Sequence, residues 1–397
     1  MDPEPLLIYN AHLGRLAGGW QPGWLLTEGK TIHRMGAGEP PELEASTVTR
    51  RIDAGGRALI PGFIDLHVHG AMGHDTMDAS PDGLWEMSRF YARHGVTAFL
   101  ATTWTASRQE ILAAVQNVAQ LTGPLPGGAT LLGAHLEGPY LNPARCGAQD
   151  ARHIRRADAH EALEFLDIGC VRLLALAPEF PENLWLIDEC SRRGVTVAAG
   201  HTTAGYEVMR HAATRGLSQV THCYNGMQGF DHRSLGTVGA ALAIPELDCE
   251  LIADNIHVHP AAQKILVDVK GPQRVILITD AIRGAGLPDG EFAIGDRMVT
   301  IQDGAVRLPN GSLAGSVLTM ENALRNASHS TGRPLQESWV MSSLNASRAI
   351  GIADHKGSLE TGKDADLVLL DEDYSVVLTV VEGRVIFEGA AASPRRM

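Results

Sequence analysis

The chain is poor in cysteine, lacks any run of basic residues, and has no apolar stretch approaching a membrane span. Its five cysteines, Cys146, Cys170, Cys190, Cys223 and Cys249, are scattered and form no CxxC pair. That spacing argues against a cysteine zinc site and fits reduced thiols in a cytoplasmic protein. The formal net charge is -13. An acidic surface repels nucleic acid and anionic lipid, so neither is an expected partner, and an anionic substrate would have to be attracted locally. A membrane helix needs about 20 consecutive apolar residues, which the sequence does not offer. The opening Met1-Asp2-Pro3-Glu4-Pro5 carries no basic region ahead of an apolar segment, so no secretory signal is read there.

What is present is a globular composition: 397 residues, 44% apolar and 20% charged. That is enough for a large core and more than one domain. The stretch Pro61-Gly62-Phe63-Ile64-Asp65-Leu66-His67-Val68-His69-Gly70 organises the rest. Residues 58–66 are short and apolar between glycines, and read as a buried strand. His67 and His69 stand at its C-terminal end. Residues i and i+2 of a strand share a face, so the two imidazoles form half of a metal site. A lone pair of this kind reads equally well as ordinary rim histidines; the remaining motifs decide the matter.

Short strands are expected at both ends of the chain, over residues 6–9, 23–26 and 48–52, and again over 367–371, 376–381 and 382–387. These ends pair into one small β-sandwich, residues 1–56 with 353–397, around a middle domain of residues 57–352. In the middle, strands alternate with helices. Further strands are expected over 96–101, 129–136, 171–176, 195–199, 219–221, 249–253 and 275–279. Helices are expected over 82–94, from the Ser107/Glu110 capping box to near Gly123, after Asp158, and over 181–193, 204–215, 319–330 and 334–349. Eight strands alternating with helices indicate a (β/α)8 barrel of the TIM type.

Barrel enzymes carry their chemistry at the C-terminal strand ends. Here those ends deliver His67 and His69, Glu137, His201, His222, His257 and Asp280. Glu137, His201 and His222 form a nitrogen and oxygen set for a divalent metal such as zinc. His67 and His69 are placed to hold a second ion, with Glu137 bridging. Asp280 suits the acceptor of a water proton. Its other reading, an acidic helix cap, fits less well after four apolar strand residues. His94 and His211 read as surface residues of helix ends. His135 stands behind Glu137, and His259 ranks below His257 because Pro260 starts a helix.

PGFIDLHVHG, HLEGPYLNP, GHTTA, THCYNGM, ITDA and GSLAGSVLTM together resemble the amidohydrolase superfamily, and within it the N-acetylglucosamine-6-phosphate deacetylases. The resemblance covers nearly the whole chain. It implies ligation by Glu137, His201 and His222, with Asp280 as acid and base. It also implies one or two divalent ions, since members that keep the first histidine pair can bind a second. It places Asn225, the backbone of Gly226 and His257 on the sugar phosphate. Arg233 matches an arginine that reaches the phosphate of the neighbouring subunit's substrate, which implies a homodimer. One position departs from the pattern. Where relatives carry a histidine that helps polarise the acetyl carbonyl, this chain has Gln149. The expected reaction is deacetylation of N-acetylglucosamine 6-phosphate. The alternative is a related amidohydrolase acting on another N-acyl amino sugar or a cyclic amide. A dihydroorotase-like site is disfavoured because no lysine falls at a barrel-strand end. A non-catalytic scaffold would have lost ligands that are all present.

Overall fold

The apolar runs of the middle of the chain form parallel strands that are buried along nearly their whole length, as a sheet covered on both faces requires. In a computed structural model that describes residues 3–16, 19–42 and 50–389, the strands are β1 (Phe63–Val68), β2 (Val96–Thr103), β3 (Thr130–Glu137) and β4 (Val171–Leu176), followed by β5 (Thr196–Ala199), β6 (Leu217–Val220), β7 (Asp248–Ile252) and β8 (Val275–Ile278). Their spatial order is their chain order. The barrel closes just beyond β8. Asp280 N donates to His67 O at 2.9 Å and His69 N to Ala281 O at 2.8 Å. Ile64, Leu66, Leu100, Leu173, Ile252, Ile276 and Ile278 fill the interior, and Ile350 packs into the same cluster.

Helices cover the outside. Ser80 caps Pro81–Arg93, and Ser107 with Glu110 forms the expected capping box on Arg108–Leu121. Asp158 caps Ala159–Asp167 by accepting from Glu161 N, but the Glu161 side chain turns to Arg155 and Tyr140, so only half of that box forms. The helix expected over 334–349 is broken into the short pieces Leu335–Ser338, Trp339–Ser342 and Leu344–Ala349.

The chain ends build one eight-stranded sheet. Its strands from one edge to the other are Arg384–Glu388, Val376–Val381, Leu367–Leu370, Ala58–Pro61, Leu6–Gly14, Trp20–Glu28 and Thr31–Ala37, with Arg50–Asp53 also paired to Leu6–Gly14. Of the strand expected over 48–52, residues 48 and 49 lie outside the described residues. The sheet encloses its own core of Leu6, Ile8, Leu25, Ile32, Leu59, Leu367, Leu369 and Val380.

The run 58–66 is not one strand. Ala58–Pro61 pairs with Leu367–Leu370 in the end sheet, and Phe63–Val68 pairs with β2 in the barrel. Gly62 marks the change. Its N donates to Asp366 O, and a Cβ there would fall 2.1 Å from the Thr97 side chain. Two buried strands separated by one glycine read as a single apolar run.

The sequence reading assigned no element between β8 and residue 319. The structure has an antiparallel three-stranded meander there, Gly290–Ile294, Arg297–Gln302 and Ala305–Arg307. Ile294, Val299, Ile301 and Val306 pack with Ile282, Trp104 and Ala148, which fixes the meander over the C-terminal mouth of the barrel.

Candidate metal centre and active site

β1 aims its two histidines by a change of parity. Ile64 and Leu66 belong to the barrel interior, whereas Val68 belongs to the outer layer. The register with β2 is irregular between Asp65 and Val68. A bulge of this kind re-aims side chains, and here it turns His67 and His69 into the mouth. Asp65 holds the bend. Its carboxylate accepts from His67 N at 3.2 Å and from the Thr279 hydroxyl at 2.6 Å. Burial raises the Asp65 carboxyl to about 7 against those hydrogen bonds.

Around the rest of the mouth, three strands lead into residues with left-handed backbone: His201 at φ 45°, His222 at φ 29° and Asp280 at φ 51°. That region is uncommon for non-glycine residues and collects at functional sites. Gly226 approaches closely, since a Cβ there would lie 2.8 Å from His201 Nδ1.

The structure gathers two ligand groups, one of Glu137, His201 and His222 and one of His67, His69 and Asp280, each with its candidate atoms within 4.8 Å of one another. Glu137 stands between them. Its Oε1 lies 3.0 Å from His201 Nε2 and 2.9 Å from His222 Nε2. Its Oε2 lies 3.2 Å from His69 Nε2 and 3.6 Å from His67 Nε2. Asp280 Oδ1 is 3.3 Å from His69 Nε2 and 3.5 Å from His67 Nε2. All six side chains are buried.

The surrounding residues set which ring nitrogen faces inward. His67 Nδ1 meets Glu250 Oε2 at 3.2 Å, and His201 Nδ1 meets the Arg145 carbonyl at 2.7 Å. With a metal bound, a proton on each Nδ1 would leave Nε2 with its lone pair toward the centre, as a metal-binding imidazole needs. Glu250 also accepts from His222 N at 3.2 Å. His69 stacks on Trp104, whose Nε1 donates to Asp75. His135 sits edge-on to His67 and within reach of the Thr102 hydroxyl.

The electrostatics match a site built for a cation. Burial opposes ionisation of Glu137, but the charge of His67 and the hydrogen bonds of His201 and His222 outweigh it and hold the carboxyl well below its usual range. Asp280 is likewise lowered against burial, by His67 and His69. His67 Nε2, His69 Nε2 and Asp280 Oδ1 are buried and meet one another and Glu137 only at ion-pair distance, without good hydrogen-bond geometry. Each such group costs about 1–3 kcal/mol, so the cluster is no stability device. A divalent cation would satisfy all of these atoms at once, and the donor set fits one.

A cavity of about 380 Å³ opens on this centre. Gln149, Asn225, Gly226 and His257 all line it. His257 Nδ1 is held by Asp254 at 2.6 Å, which leaves Nε2 for a ligand. Gln149 is turned inward: its amide nitrogen donates to Glu137 Oε2 and its oxygen accepts from Thr105 N at 2.7 Å. Arg233 is not brought to this cavity. It is exposed, beside a separate groove with Tyr206 and Leu235. Sequence reasoning passed over Trp104, Arg307, Asp65, Glu250 and Asp254. A carboxylate inside the apolar β7, or inside β1, was a legible signal for Glu250 and Asp65. Arg307 had none, because the meander that carries it was not expected.

The model of the amidohydrolase family matches residues 58–386. The chain belongs to the amidohydrolase family. This amidohydrolase is 42% identical over 340 residues to the N-acetylglucosamine-6-phosphate deacetylase of Vibrio furnissii, covering 85% of each chain. It is 39% identical over 329 residues to an N-acetylgalactosamine-6-phosphate deacetylase of Escherichia coli O157:H7, covering 82% of this chain and 87% of that one. Its fold superposes with a TM-score of 0.88 on the N-acetyl-D-glucosamine-6-phosphate deacetylase of Mycobacterium smegmatis, solved with N-acetyl-D-glucosamine-6-phosphate, at 31% identity over 97% of this chain and all of that one. Family membership and the two ligand groups imply a divalent metal. Among the described residues no helix is long and apolar enough to cross a membrane.

Proposed function

We propose that this amidohydrolase removes the acetyl group of N-acetylglucosamine 6-phosphate, giving glucosamine 6-phosphate and acetate. The observation that carries the reading is Glu137 set between two histidine groups at the floor of a cavity open to a small sugar. Glu137, His201 and His222 would hold one divalent ion, for which zinc suits the donors, and His67, His69 and Asp280 offer a second position. Bound there, the metal would supply Lewis acidity for the acetyl carbonyl and would lower the pKa of water toward neutrality.

The chain's own residues do the rest. Asp280, ionised beside His67 and His69, accepts a proton from the attacking water. As the amide C–N bond breaks, Asp280 returns that proton to the leaving amine. Asn225, the backbone of Gly226 and His257 orient the sugar phosphate. Gln149, holding Glu137, donates a neutral hydrogen bond where a histidine could carry charge. The relatives act on two epimeric sugars, and the gluco substrate is favoured by their larger number among the similar proteins.

Arg233, exposed and away from its own cavity, fits a homodimer in which it serves the neighbouring site. Mixing Arg233→Ala with Asp280→Asn chains tests this: recovered activity supports the shared site, and none refutes it. The reaction itself is tested by screening N-acetylhexosamines, with and without the 6-phosphate, on protein of known metal content. Release of acetate from N-acetylglucosamine 6-phosphate is expected. Turnover of a cyclic amide instead would move the chain to another branch of the family.

A further inference from the structure

The cavity wall has a single arginine and no lysine among the described residues, and the arginine is Arg307. The wall otherwise brings the carboxylates of Glu137 and Asp280 and three histidines, two of which face Glu137. The whole chain carries a formal charge of -13. A phosphate dianion entering this mouth therefore needs a local cation.

Arg307 is held in place to be one. It ends the strand Ala305–Arg307, whose Val306 is buried in the meander's core. The turn after it is closed by Gly311 N donating to Leu308 O at 2.8 Å and Leu308 N to Ser312 O at 2.9 Å. Arg307 Nη1 donates to Gly311 O at 2.9 Å, which ties the guanidinium to the Gly311–Leu313 rim of the cavity. A guanidinium has five N–H donors in a fork that matches phosphate oxygens. The side chain is exposed, so donors remain for a ligand.

We propose that Arg307 is a second cation for the 6-phosphate, supplied by the same chain as the metal ligands where Arg233 comes from the neighbouring subunit, and so strengthens the preference for phosphorylated over free sugar. The proposal rests on the deacetylase reading above. Arg307 is a binding residue here, with no part in the proton transfers assigned to Asp280.

The test compares wild type, Arg307→Ala and Arg307→Lys as metal-loaded full chains, on N-acetylglucosamine with and without the 6-phosphate. Loss of a charge-assisted contact should raise KM for the phosphorylated sugar roughly 10- to 100-fold. kcat should stay near wild type and the free sugar should be unaffected, while Arg307→Lys recovers part of the loss. An unchanged KM for the phosphosugar, or an equal rise for both sugars, overturns the proposal. Calorimetric titration with inorganic phosphate is the second arm and does not depend on turnover. Weaker binding to Arg307→Ala supports the assignment, and equal binding overturns it. If wild type hydrolyses neither sugar, the deacetylase reading fails separately, and the phosphate titration still decides the role of Arg307.

Discussion

His69 lies face to face with Trp104, ring centroids 3.7 Å apart and planes tilted by 15°. The stack fixes an imidazole whose Nδ1 is buried with no hydrogen-bond partner to orient it. Groups that orient a ligand commonly contribute about 10- to 100-fold to metal affinity. Trp104→Leu is therefore expected to weaken binding at the His67, His69 and Asp280 group by roughly tenfold, while Trp104→Phe retains most of it. Chelator competition measures this, and equal affinities in both variants would remove Trp104 from the site.

Asp280→Asn should keep the fold and lose turnover by about 100-fold or more, since an amide cannot accept the water proton. Steady-state rates, with circular dichroism as the control for folding, decide it. Near-normal turnover would exclude Asp280 as the base.

Replacing both His67 and His69 by alanine should lower the metal content of replete protein and leave the Glu137, His201 and His222 position loaded. Elemental analysis reads the change. An unchanged ratio would show that the first histidine pair holds no ion.

Lys356 is buried between Asp366 at 2.6 Å and Asp364 at 2.8 Å. Burial opposes its charge, but the two aspartates raise its pKa above the ordinary lysine value. Removing one member of a buried pair strands the other, at a cost of about 3–5 kcal/mol. Lys356→Met should destabilise by that order in urea unfolding, and adding Asp366→Asn should restore part of it. A loss under about 1 kcal/mol would mean that water reaches the pair.

The barrel and the two groups of candidate metal-holding residues were legible because short apolar runs ended in histidine, glutamate or aspartate. Such runs have one physical use in a closed parallel sheet: a buried strand delivering a polar group to the mouth. Other features were hidden for equally physical reasons. The Gly62 break disappears inside an apolar run because each half is buried in a different sheet. The meander's strands are short and half exposed, and the one alternating stretch, Val299 and Ile301 between exposed neighbours, is only a few residues long. The bulge that turns His67 inward leaves no mark on composition, and period-two reasoning paired the histidines correctly without revealing that the strand's parity had changed. The inward turn of Gln149 depends on Thr105 and Glu137 meeting it in space, which spacing along the chain does not report.

The seam that closes the barrel joins the first strand to the last. Asp65 meets the Thr279 hydroxyl across 214 positions of sequence, beside the backbone bonds that link His67 and His69 to Asp280 and Ala281. During synthesis the first histidine pair emerges long before Asp280 does. A nascent chain thus carries isolated donors and no complete second group until its eighth strand has docked. The order of synthesis therefore leaves the second group incomplete until the ring is shut.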